Sequence, residues 1–183
     1  MAARWTRLTP AAAALLVGVL VATVPATAAR PHVVHAKRVA LSSLEIGVLD
    51  DLNAIRARHG LSRLTICAAL TATAEQHTRE MAADGYFAHP SADGTAFWKR
   101  IARTYPSTGY GYWSVGENLL WSSPDVDPAE ALRLWMNSPE HRANILDPHW
   151  REVGVAAVHV ASAPGAYDGR EVTLVTTDFG VRR

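Results

Sequence analysis

Two β-branched runs stand at the end of this sequence, REVGVAAVHVA (Arg151–Ala161) and EVTLVTTDFGV (Glu171–Val181). Apolar residues occupy both alternations of each run, which suits strands covered on both faces. Ahead of them the recurring period is helical. Leu44, Val48, Leu52 and Ile55 share one face of a segment that Ser42 or Ser43 can cap and that Gly60 stops. Leu70, Ala74, His77 and Met81 form a second stripe over Ala68–Ala83, with Gly85 as its stop. Helices first and strands last, with no strand–helix–strand alternation, predict a layered α+β domain rather than a doubly wound sheet.

Helix starts are legible further along. In DPAEALRLWMN, Asp127 is a cap, Pro128 takes the first helical position and Glu130 stands three residues after the cap, the pattern of a capping box. A second start follows at Ser138-Pro139-Glu140-His141. SAPGAYDGR reads as the hairpin connection between the two final strands. Residues 86–128 read mostly as loop, rich in aromatics and glycines, and a loop that long in a compact domain is functional or locally folded.

The first 28 residues carry a different message. Arg4 and Arg7 precede an apolar stretch from Ala11 to Val24, and Ala26-Thr27-Ala28 has the small residues a signal peptidase needs. The apolar run is about 14 residues, against about 20 for a spanning helix. A secretory signal over 1–28 is expected, with an uncleaved membrane anchor as the alternative, then a flexible leader over 29–41 and one domain over 42–183. The formal net charge is +1 and the two arginines lie in the expected signal, so the exported part is close to neutral and gives no reason to expect nucleic acid. Cys67 is the single cysteine, so an internal disulfide is excluded. Its apolar setting reads as a buried small hydrophobe rather than a nucleophile.

No G-x-S-x-G, H-E-x-x-H, C-x-x-C, phosphate-cradling glycine loop or dinucleotide fingerprint occurs in the chain. Three titratable positions remain. Pro90 pushes His89 toward extended geometry, which holds its ring on a loop; an exposed turn histidine is the alternative. Glu117, in SVGENLLW, sits in apolar company. It is either a solvated cap or a buried carboxylate that needs a partner or a cation. Glu140 and His141 open the helix that Ser138 and Pro139 start. The helix dipole accounts for Glu140 and disfavours an imidazolium, so His141 is expected to be mostly neutral near pH 7, with a lone pair free.

Five segments in order resemble a known family: LNAIRARHGLSRL, ALTATAEQHTREMAADGYFAHP, VGENLLW, ALRLWMNSPEHRANILDPHWREVGVA and TDFG. The chain is similar, over about Leu44 to Val181, to the CAP superfamily (SCP, or cysteine-rich secretory protein, antigen 5 and pathogenesis-related 1), and to its bacterial secreted branch in particular. The resemblance implies an α-β-α sandwich with a small antiparallel sheet between helical layers. It also implies an open cleft in which His89, Glu117 and His141 form a cluster able to hold zinc, with Ser138, Glu140 and Asn118 beside it. Ser138 stands where eukaryotic members often carry a second glutamate, so the cluster has three members. The function expected is a secreted, extracellular binding module for a lipid, small molecule or protein partner, without turnover. The alternatives are a zinc-dependent, peptidase-like hydrolase using the same cleft, and a polar cluster that only pins the loop.

Overall fold

Ser42 turns the chain into its first helix. Its hydroxyl accepts the Glu45 amide at 3.3 Å while the Glu45 carboxylate accepts the Ser42 amide at 2.7 Å, a complete capping box. That helix is α1, Ser43–Arg58. The computed structural model describes residues 40–183; the expected signal and most of the expected leader lie outside the described residues. After α1 come β1 (Thr65–Ile66), α2 (Ala68–Asp84), α3 (Phe97–Thr104) and β2 (Trp113–Ser122). Then follow α4 (Pro128–Asn137), α5 (Pro139–Ile145), β3 (Glu152–Val160) and β4 (Val172–Arg182). Among the described residues no helix is long and apolar enough to cross a membrane.

The sheet order is β1-β3-β4-β2. β3, β4 and β2 are antiparallel, and β1 adds two residues in parallel to β3. Strand side chains alternate between two helical layers. Val153, Val155, Val175 and Phe179 pack with α1, α4 and α5, around Leu52 and Trp135. Leu119 and Leu174 meet α2 through Met81, and Leu70, Ile101 and Tyr105 close the end of that layer beneath α3. This is the α-β-α sandwich, and it explains why the final strands are apolar on both alternations. The α2 stripe Leu70, Ala74, His77 and Met81 is wholly buried, and α2 ends at Gly85 in the left-handed conformation.

Three expectations are corrected. Residues 86–128 contain a helix and a ten-residue strand: α3 lies there, and β2 pairs with β4 from Trp113↔Arg182 to Ser122↔Thr173. Asp127 caps α4 by accepting the Glu130 amide at 2.8 Å, but the box stays half-made because the Glu130 carboxylate turns to Arg133. Ser138 sits at the start of α5 without capping it: no helix amide reaches its side chain, and its own amide closes α4 on Trp135 O at 3.1 Å. Cys67 is buried, and burial raises its thiol, in line with a packing role.

Candidate functional site

β2 is an edge strand, so its outer side is where the two helical layers can meet without the sheet between them. α5 closes on it from one side. Asn144 Nδ2 donates to Asn118 Oδ1 at 3.0 Å, and Asn118 Nδ2 donates to the His141 carbonyl at 3.1 Å. The approach needs Gly116: a Cβ there would lie 2.5 Å from Asn144 Oδ1. The connection between α2 and α3 arrives from the other side and brings His89, whose ring lies 6.1 Å from that of Phe97.

Between them is an open cleft of about 590 Å³. His89, Glu117, Asn118, Glu140 and His141 line it, together with Ala143, Asn144 and Asp147. Five of the six sequence-derived positions are therefore brought together; Ser138 is not among the lining residues. A second hollow, about 530 Å³, lies between the start of α1 and α2 and contains none of them.

Glu117 is buried, and both of its oxygens are engaged. His89 Nδ1 lies 2.8 Å from Oε1, and Arg100 Nη2 is bonded to Oε2. An ionised carboxylate only accepts, so His89 Nδ1 is the donor and carries the proton. Arg100, from α3, is 2% exposed. Its Nη1 also donates to the His89 carbonyl at 3.0 Å and to Ser91 Oγ at 3.1 Å. One guanidinium thus holds both the backbone of His89 and the carboxylate that fixes its ring.

Asp178 lies behind this pair, directly across the strands from Glu117. It is fully buried, and among the described residues neither oxygen has a hydrogen-bond partner. Burial pushes its carboxyl well above the usual carboxylate range, and the Glu117 charge adds to this while Arg100 opposes it. Asp178 is accordingly the member of the pair that favours the protonated form. In such a group the folded state keeps a proton that the unfolded chain gives up above about pH 4. Its contribution is full below that range and falls as pH rises toward the folded value. Asp178→Asn keeps a donor and cannot ionise. Melting temperatures of variant and wild type, compared from pH 4.5 to pH 8, should shift in the variant's favour as pH rises; a constant difference would mean that Asp178 holds no proton in the folded state.

His141 is half-buried, and burial pushes its imidazole below the usual value, with the neighbouring His89 adding to the shift. Both effects favour the neutral imidazole, with desolvation the larger. His77 is packed, with Nε2 3.0 Å from the Ala88 carbonyl. Arg100 and Asp178 escaped the sequence reading, as did Asn144. Among the described residues no three or more His, Cys, Asp or Glu side chains stand ready to hold a metal ion. Among the described residues the cleft's unclaimed nitrogens are His89 Nε2 and those of the His141 ring, which fits a site built on two imidazoles better than one with Glu117 as a third ligand.

A family model described as the cysteine-rich secretory protein family, CAP, matches residues 49–174. The chain belongs to the CAP family. The Bacillus subtilis protein YkwD is 32% identical to this CAP domain over 139 residues, 75% of this chain and 51% of its own length. The Bacillus subtilis membrane protein YlbC is 29% identical over 108 residues, covering 59% of this chain and 30% of its own. The chain thus spans about half of the first relative and under a third of the second. An extracellular SCP-domain protein of Bacillus anthracis superposes with a TM-score of 0.58 at 26% identity, over 80% of this chain and 45% of that one. An outer surface protein of Borrelia burgdorferi shares the fold, with a TM-score of 0.59 at 18% identity, over 74% and 90% of the two chains.

Proposed function

We propose that this CAP domain, spanning 42–183, is exported by the signal at 1–28 and acts outside the cell as a binding module, with the cleft at the β2 edge as its ligand site. The observation that carries the reading is the lining of the cleft. Two imidazoles from opposite helical layers line it with three carboxylates and two amides, and its described lining includes no serine, threonine or cysteine. Such a surface recognises a polar small molecule, a lipid headgroup or a protein side chain without a covalent step.

A zinc ion, where bound, is held through His89 and His141 and offers the ligand a positive centre. The hydrolase alternative needs Glu117 as ligand or base. Arg100 and His89 hold both of its oxygens, which favours binding over turnover.

Zinc titration of residues 29–183 tests this reading. One zinc is expected at pH 7, with weaker binding at pH 5 because protons compete for the imidazoles, and loss in both His89→Ala and His141→Ala. A wild-type chain that binds no zinc at pH 7 removes the metal from the reading. Peptide or ester hydrolysis that disappears in His141→Ala removes the binding module itself.

A further inference from the structure

We infer that Arg100 is the residue that sets what the cleft can bind: by occupying Glu117 it withdraws the carboxylate from the ligand sphere and turns Glu117 into a positioning residue that presents His89 through Nε2. This deepens the proposed cleft function and rests on it only where metal is concerned. The argument is geometric. Glu117 has two oxygens, one taken by His89 Nδ1 at 2.8 Å and the other by a guanidinium that is itself 2% exposed. A cation seeking Glu117 must reach a side chain with no exposed surface and share an oxygen with His89 or Arg100. Displacing Arg100 leaves a buried guanidinium with, among the described residues, Ser91 Oγ and the His89 carbonyl as its remaining acceptors.

The same clamp selects the ring. With Oε1 an obligate acceptor, the Nδ1–H form of His89 is enforced and the Nε2 lone pair is left without a protein partner among the described residues. Arg100 anchors the peptide of His89 as well, so ring and backbone are held from one point. The donor set left to the cleft is nitrogen-rich. That composition favours zinc, copper or nickel over calcium or magnesium, which require oxygen ligands. Arg100 is therefore a specificity-determining residue that never touches the ligand.

The test reads the tautomer and the affinity separately, in the full chain. Long-range proton–nitrogen correlation spectra of the metal-free wild type should show His89 protonated at Nδ1. Glu117→Gln leaves one acceptor oxygen for two donors; Arg100 can only donate and takes it, so the carboxamide NH2 faces His89 Nδ1, the ring should switch to the Nε2–H tautomer and zinc affinity should fall by about ten- to a hundredfold. The double variant Arg100→Gln with Glu117→Gln removes the clamp without stranding a charge. It should show no single enforced tautomer and recover part of the zinc affinity lost in Glu117→Gln alone. An Nε2–H tautomer in the wild type overturns the inference. So does an Nδ1–H tautomer that persists unchanged in Glu117→Gln, because the Arg100–Glu117 clamp would then not be what fixes the ring. If the wild type binds no zinc, the metal reading fails by itself and the tautomer alone decides the role of Arg100.

Discussion

Replacing Arg100 by leucine is expected to cost about 3–5 kcal/mol of folding stability, the range for breaking a buried ion pair by removing one partner. The side chain fits an apolar replacement poorly for a specific reason. Arg100 is the cation that faces Glu117 and Asp178, two carboxyl groups opposed across β2 and β4. In Arg100→Leu the Glu117 charge stays buried, and the His89 carbonyl and Ser91 Oγ lose their donor. Urea denaturation of Arg100→Leu and of Arg100→Leu with Glu117→Gln measures this. The double variant should recover part of the loss, since a carboxamide needs no counter-charge. A single variant within about 1 kcal/mol of wild type would mean that water already reaches the pair.

Arg100 also shows where the sequence stops being readable. Its partner is 17 positions away, and nothing in the period of FWKRIART tells a buried arginine from a solvated one. The elements that were legible are those whose signal is local. The Ser42–Glu45 box closes within one helical turn, the α2 stripe repeats at helical spacing, and Asp127-Pro128 sets the start of α4. β2 was lost because Gly116, Glu117 and Asn118, all poor strand formers, stand at its centre. They are there for the cleft: Gly116 admits Asn144, Glu117 meets Arg100 and Asn118 ties down α5. Ser138 misled for the opposite reason. Its position matches a cap, but one residue both ends α4 and begins α5, and its hydroxyl reaches no amide of α5. Asp178 sits in an apolar run, where its sequence neighbours say nothing about the carboxylate across the strand.

Gly154→Ala is expected to destabilise the domain by about 3 kcal/mol or more, above the usual cost of one added methyl group, because the obstacle is backbone. An added Cβ would lie 2.1 Å from the Leu70 carbonyl carbon, 2.2 Å from the Thr71 nitrogen and 2.4 Å from the Leu70 oxygen. No side chain can rotate away, so α2 itself must lift off β3. That helix cannot move alone. Thr78 Oγ1 donates to Thr176 Oγ1 at 2.7 Å, and His77 Nε2 holds the Ala88 carbonyl at 3.0 Å, one residue before His89. A shift of α2 therefore reaches the cleft through residues that never line it. The expected result is a lower melting temperature together with a weaker His89–Glu117 contact, seen as loss of the single His89 tautomer. Gly111→Ala is the control. Its Cβ would meet nothing nearer than the Arg183 carbonyl oxygen at 3.8 Å, and it should stay within about 0.5 kcal/mol of wild type. Equal effects from the two substitutions would show that α2 and β3 are not held at that close approach.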